Sequence, residues 1–360
     1  MIQRVLFCCI SLALMLSPVD AMATEKPELH INFQYDVVNF DDVPDTVDDE
    51  SGFRRRRVAL DWKATDWLAF KFEHDFQSHA WTDAHARIKT GAGNFLLGQF
   101  KQPFSLETMG SNKNRLFMES AFSSVFGIDR RVGLGYQWFA PSWSLAAGLY
   151  GKNLTGENEG GALVVRGVWN PVSDAERILH LGAATGRERP DDGVFSRSTR
   201  PETGLGPLRL ARTGTITGVD EIDRFGLEGA WRNGPLLVQG EYAHLLANRD
   251  GGGDVDADGA YLSVGYVFTG EMHQYKEGAF GTVKPASKWG ALEGVARIAR
   301  IDFDGGTSGT DGHDSLTLGL NWYVTDRTRL QLNYVRAEQD GTAPLLVDPE
   351  VFQVRAQIGF

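Results

Sequence analysis

The chain has 360 residues, 47 of them acidic and 36 basic, for a formal net charge of −11, with 42 glycines and only 2 cysteines. That acidic balance argues against a nucleic-acid partner, whose phosphates require a basic surface, and two cysteines cannot build a disulfide framework or a zinc cluster. Past the N-terminal segment no apolar run approaches the length of a membrane helix. In chain order, residues 1–23 are predicted to be a secretory signal. Arg4 supplies a positive start, Val5 to Leu16 is apolar, and Ala21-Met22-Ala23 is a small-x-small cleavage site before the polar Thr24-Glu25-Lys26. Cys8 and Cys9 both fall inside this signal, so the exported chain carries no cysteine. Residues 24–360 then read as a single domain.

From there the dominant pattern is alternation of apolar and polar residues, the mark of a strand with one face of each kind. About sixteen such segments follow, near 29–39, 53–63, 66–76, 81–90, 94–101, 130–139, 142–151, 161–170, 177–187, 221–232, 235–247, 257–270, 286–301, 313–324, 327–338 and 350–360. The last is the plainest: Phe352, Val354, Ala356, Ile358 and Phe360 alternate with Gln353, Arg355, Gln357 and Gly359. The links mostly alternate between short ones, such as Ala64-Thr65, Asn233-Gly234 and Thr325-Asp326, and long ones, such as 40–52, 102–129 and 188–220. The link 271–285 is long where a short one is due. An even number of antiparallel strands joined in this way predicts an all-β fold, a transmembrane β-barrel of about 16 strands in an outer membrane. Trp62, Trp138, Trp143, Trp169, Trp231, Trp289 and Trp322 fall beside the short turns, as an interfacial girdle requires.

Alternation also assigns the charges. Arg55, Arg57, Lys71, Arg87, Lys101, Arg131, Arg297 and Arg355 fall on the lumen side, while the acids concentrate in links such as Asp41 to Glu50. The wall is therefore predicted to be net basic. A basic tube with low-dielectric walls concentrates anions and replaces part of their hydration shell, and arginine offers oxyanions a planar fork that stays charged. Within the run Arg54 to Arg57, Arg54 and Arg56 are expected at the rim. The third long link, 102–129, carries apolar anchors at Phe104, Leu106, Leu116, Phe117, Met118, Phe122 and Phe126. It is predicted to fold into the pore and narrow it, with Lys113 and Arg115 at the constriction. Monohydrogen phosphate carries an O–H donor that sulfate lacks, so a carboxylate beside the arginines would favour phosphate. Asp61 and Asp129 are the candidates.

The stretches Phe53-Arg54-Arg55-Arg56-Arg57-Val58-Ala59-Leu60, Leu97-Gly98-Gln99-Phe100-Lys101-Gln102-Pro103-Phe104 and Arg130-Arg131-Val132-Gly133, with Leu332-Asn333-Tyr334-Val335-Arg336 near the end, are similar to the phosphate- and pyrophosphate-selective porin family (Porin O/P). The resemblance implies a sixteen-stranded trimeric barrel with its third loop in the pore and arginines forming an anion path. It implies places beside the constriction for Arg55 and Arg57, third-loop roles for Lys113 and Arg115, and a loop-exit pair in Arg130 and Arg131. Phosphate, with pyrophosphate or polyphosphate, becomes the expected cargo, a homotrimer the expected assembly, and outer-membrane lipid the surroundings.

Other motifs carry little. Asp254, Asp256 and Asp258 open like a calcium loop, but the twelfth position is Gly265, which leaves only a loose cation site. No HExxH pair, GxSxG elbow or P-loop is present, so neither a cofactor nor an enzyme is expected. The rival readings are a general or weakly selective porin, an outer-membrane barrel enzyme and a secreted carbohydrate-binding β-protein.

Overall fold

The computed structural model describes residues 25–121, 125–156, 160–307, 310–342 and 346–360. The signal expected at 1–23 and the anchor Phe122 lie outside the described residues. In chain order the strands are β1 Glu28–Asp41, β2 Glu50–Lys63, β3 Leu68–Asp75, β4 Ala80–Thr90, β5 Gly93–Phe100, β6 Arg131–Phe139, β7 Trp143–Tyr150, β8 Gly161–Ser173, β9 Arg177–Arg189 and β10 Val194–Phe195. They continue with β11 Ile216–Thr217, β12 Val219–Asn233, β13 Leu236–Arg249, β14 Val255–Val267, β15 His273–Lys276, β16 Ala279–Val283, β17 Ala291–Asp304, β18 Thr310–Tyr323, β19 Thr328–Gly341 and β20 Glu350–Gly359. Sixteen of them close an antiparallel barrel in sequence order, with β20 pairing back onto β1. The pairs β10–β11 and β15–β16 stand apart as small hairpins inside two links. All sixteen predicted segments are barrel strands; the hairpins, with two to five residues per strand, are too short to show a period.

The barrel is inside out. On β18, Leu316, Leu318, Leu320 and Trp322 are exposed while Ser315, Thr317 and Asn321 are buried. On β20, Phe352, Val354 and Ile358 are exposed while Gln353, Arg355 and Gln357 are buried. A continuous apolar surface of that extent is a liability in water. It suits hydrocarbon, where a closed barrel leaves no backbone group unpaired. Six of the seven girdle tryptophans are exposed at the short-turn ends, Trp62 is half-buried, and Trp67 joins them.

The wall is uneven. β3 and β5 to β7 have 8 or 9 residues and β4 has 11, against 13 to 15 in β8, β9, β12 to β14 and β17 to β19. The link between β3 and β4 is short on the side where long ones were due. A β-bulge corrects a second expectation. The β1–β2 register skips at Gln34/Tyr35, which leaves Arg54 as the extra residue. A bulge re-aims side chains, so Phe53 points outward and Arg55 inward, and Arg54 turns inward to bond Glu119 rather than standing at the rim.

Three links pack against the buried face. In 102–129, Phe104, Leu106, Leu116, Phe117, Met118, Val125 and Phe126 are all buried. Phe126 fits only because β14 has Gly259 opposite it, where a Cβ would stand 2.4 Å from the ring. The 188–220 link contributes Phe195, Leu208, Leu210 and Ile216 to the same interior. The irregular 271–285 link turns back as β15–β16. The carbonyl of Gly278 accepts from Arg166 at 3.0 Å, and the Tyr275 hydroxyl accepts from Asn170 at 2.8 Å.

Candidate functional site

The interior charges fall into two arrangements. The first is a lattice of matched pairs. Glu119, on the third long link, faces three arginines: Arg54 at 3.0 Å, Arg55 at 3.2 Å and Arg355 at 2.8 Å. Arg355 also grips Asp36 through two nitrogens, at 2.6 and 2.7 Å, and donates to the Met118 carbonyl. Arg297 donates to Glu107 at 2.9 Å, to Glu202 at 2.5 Å and to the Glu119 carbonyl at 3.0 Å, and its guanidinium lies 4.2 Å from the Phe117 ring centre. Burial alone would raise the Glu119 carboxyl, but Arg54, Arg55 and Arg355 outweigh it and hold it well below the usual carboxylate range. Further round the wall Arg131 and Arg224 share Glu188, and Arg166 pairs with Glu228 at 2.6 Å.

Four wall residues expected to line an anion path, Arg55, Arg131, Arg297 and Arg355, are therefore committed to carboxylates. Their partners Asp36, Glu107, Glu119, Glu188 and Glu202 were absent from the expected lumen set. Asp36 and Glu188 left a signal, Asp36 by sharing its parity with Asn32 and Gln34 on β1 and Glu188 by sharing its parity with His180 and Ala184 on β9. Glu107, Glu119 and Glu202 sit in links, where no periodicity assigns a face.

The second arrangement is a cavity of about 550 Å³ between β1 to β6, residues 109–114 and the β15–β16 hairpin. It brings together Arg57, Lys71, Arg87, Lys101, Lys113, Arg130 and Asp61 with Glu73 and Asp83, which alternation also places on the lumen side, and adds Lys276 and Glu277. Seven basic side chains thus face four acidic ones. Arg57 is held by Asp75 at 2.8 Å and Glu73 at 3.4 Å, and Asp83 takes Arg130 at 2.7 Å and Lys71 at 3.8 Å. No carboxylate among the described residues lies within ion-pair distance of Arg87, Lys101 or Lys113. Lys101 donates to the carbonyls of Thr108 at 2.8 Å and Gly110 at 2.6 Å. Burial, reinforced by the neighbouring Arg130 charge, holds its ammonium well below the usual lysine range.

The remaining candidates lie elsewhere. Arg115 borders a separate, water-sized hollow beside Glu107. Asp129 is exposed and outside the cavity. The acids of the loose cation site are engaged separately: Asp254 caps the Arg249 amide, while Asp256 and Asp258 flank His244 at 3.5 and 3.1 Å. Successive carboxylates on one strand face stand about 7 Å apart, and among the described residues no three His, Cys, Asp or Glu side chains are placed to share a metal.

A family model described as phosphate-selective porin O and P matches residues 28–360. Porin O of Pseudomonas aeruginosa is 29% identical over 343 residues, covering 81% of this chain and 77% of that protein. Among solved structures, the anion-selective porin from Comamonas acidovorans is similar with a TM-score of 0.61 at 14% identity, over 93% of this chain and 99% of that one. The trimer form of OmpT from Vibrio cholerae has a TM-score of 0.60 at 15% identity, over 93% and 99%. At those identities the two structures share the fold.

Proposed function

The chain belongs to the phosphate-selective porin O and P family, and from that premise we propose that it is a channel, not an enzyme, that passes small anions by diffusion, phosphate first. The observation that carries this reading is the cavity in which Arg87, Lys101 and Lys113 stand without carboxylate partners among the described residues. The matched pairs around Glu119 and Glu202 act as scaffolding that holds the third long link inside the pore as its constriction. The unmatched cations supply the field. An oxyanion entering the cavity exchanges part of its water for Arg87 and Lys113. Asp61, on the cavity wall, accepts the O–H of monohydrogen phosphate. Passage requires several weak sites rather than one tight one, and the mixed lining, with acids between the bases, keeps each site weak.

Planar-bilayer currents test the reading. Chloride current through the channel should be anion-selective and should fall when low concentrations of phosphate are added. A cation-selective reversal potential would refute the proposal, and anion-selective current indifferent to phosphate would favour a general porin.

Lys101 adds a pH dependence. Its ammonium is held below the ordinary lysine range, so it gives up its proton as pH rises before an ordinary lysine, near 10.4, would do so. Anion selectivity should therefore start to decline below that pH. Lys101→Arg, which stays charged, should flatten the decline, and an unchanged profile in that variant would remove Lys101 from the path.

Assembly as a homotrimer is proposed through the low side of the wall. Arg56 points outward from the middle of β2, 5.5 Å over the Phe53 ring, and His74 stands between Phe76 and Trp81. A lipid-facing arginine at the bilayer midplane costs about 2–4 kcal/mol, which a subunit contact there relieves. Native mass in mild detergent decides it: three chains support the assembly, and one chain refutes it.

A further inference from the structure

The β15–β16 hairpin is a long link on the side of short turns, and it is held unlike the other inward links. It springs from between β14 and β17 and reaches β8, four strands round the wall from β14, or about 19 Å at about 4.8 Å per strand. Its root is apolar: Val283 is fully buried with Val267, Ala291 and Tyr323. Beside it His273 bonds Glu293 at 2.6 Å, and the His273 carbonyl accepts from Arg232 at 2.7 Å. The far half hangs on polar bonds. The Gly278 carbonyl accepts from Arg166, and the Tyr275 hydroxyl meets Asn170 at 2.8 Å and His180 Nδ1 at 2.7 Å. Its apolar rest is Phe280, half-buried against the cluster of Leu106, Leu116, Phe117 and Leu237.

One face of the hairpin lines the main cavity, and what the other face covers is polar. The 102–129 and 188–220 links sit on apolar clusters, which lifting them would expose to water at a cost that grows with apolar area. The hairpin instead lies over Arg166, Asn170, His180, Arg232 and Gln239, all buried. A hollow of about 30 Å³ remains there, lined by Glu107, Asn114, Arg115 and Gln239 with His273 and Phe280. Two buried nitrogens on this side, Arg115 Nε and His180 Nε2, have no hydrogen-bond partner among the described residues. Water reaching them would supply partners, which relieves the penalty of a buried unpaired polar atom. The covered arginines are also secured without the hairpin. Arg166 keeps Glu228 at 2.6 Å, and Arg232 keeps the carbonyl of Ala175 at 2.8 Å. A segment with few buried apolar contacts and a polar bed is the kind that opens locally while the rest of the fold stands.

We propose that the far half of the hairpin, Gln274 to Thr282, is a strap that swings on its apolar root and opens a second anion passage along β8 to β13, lined by Arg115, Arg166 and Arg232. The proposal rests on the reading of the chain as a channel. Its test is access to position 239, behind the strap, in planar bilayers. A Gln239→Cys channel is exposed to an anionic methanethiosulfonate added on the short-turn side; Cys8 and Cys9 fall in the expected signal, so no other thiol competes. In that background Tyr275→Phe removes the hydroxyl that meets Asn170 and His180 and keeps the ring 4.9 Å from Phe280. It should speed modification at least tenfold and lengthen the time spent at the higher of two conductance levels. Replacing Gln274–Thr282 by Asn-Gly, a two-residue turn across the paired His273 and Val283, should hold the higher level throughout. Equal modification rates with one conductance level in every protein would overturn the strap and leave the channel reading intact. Faster modification of the Tyr275→Phe protein only together with a loss of heat stability would overturn it too, as general loosening. No current from any of the proteins would overturn both.

Discussion

Glu119→Gln should cost about 3–5 kcal/mol of stability, the usual penalty for removing one partner of a buried ion pair, and should enlarge the channel. The carboxylate is the point at which Arg54 and Arg55 of β2 and Arg355 of β20 meet the third long link. Without its charge, Arg355 keeps Asp36 and Arg55 keeps the Gln34 amide, but Arg54 loses the one carboxylate partner it has among the described residues. Three like charges then crowd a buried site, and the link's backbone, pinned beside it by Arg355 at Met118 and Arg297 at Glu119, is pushed off the wall. A higher and noisier single-channel conductance follows, together with a lower temperature for the heat-induced change in gel migration. The pH dependence has a definite sign. A carboxyl whose folded value is depressed contributes stability above its unfolded value, near 4.3, and loses it only as pH falls through the lower folded value. Wild-type conductance should therefore hold at pH 4 and break only in stronger acid, whereas the variant is already enlarged at neutral pH. A variant with wild-type conductance and wild-type heat stability would show that Glu119 does not anchor the link.

How much of this was legible beforehand depends on periodicity. Every barrel strand was visible because the pleat forces a two-residue alternation, and burial on one face enforces it over eight or more residues, as in Ser315 to Trp322. The same rule found Arg57, Lys71, Arg87 and Lys101, and all of them do face one cavity. It failed where the backbone breaks step. The bulge at Arg54 adds a residue without changing composition, so the inward turn of that arginine has no trace in the sequence. Glu119 and Glu202 sit on links, and their places are set by arginines from β2, β17 and β20, more than sixty residues away in sequence for each contact. A count of wall arginines therefore overstates the field available to an anion, because long-range pairing decides which charges are spent on structure. The acidic total of −11 conceals the same distinction.

Reversing the two unspent charges, by Arg87→Glu with Lys113→Glu, should convert the channel from anion-selective to cation-selective. The cavity now presents seven basic side chains against four acidic ones; the double variant presents five against six. A unit charge about 8 Å from a permeant ion is worth about 0.5–2 kcal/mol between the dielectric constant of water and the effective value of about 20 near a protein surface. The pair of reversals changes four units, so a swing of tenfold or more in the anion-to-cation permeability ratio is expected at low salt. It should shrink as salt shortens the screening length to about 3 Å near 1 M. The choice of residues matters as much as the charge. Reversing Arg57 or Arg130 would strand Asp75 or Asp83 beside a like charge and unsettle the wall. Among the described residues Arg87 and Lys113 have no such partner, and Lys113 is fixed through its backbone carbonyl, which accepts from Gln357 at 3.1 Å whatever side chain it carries. Heat stability should thus stay near wild type while the reversal potential changes sign. If the sign is unchanged in a folded double variant, the field that selects the ion resides in the matched lattice around Glu119 and Glu202, and the cavity is a passage without a filter.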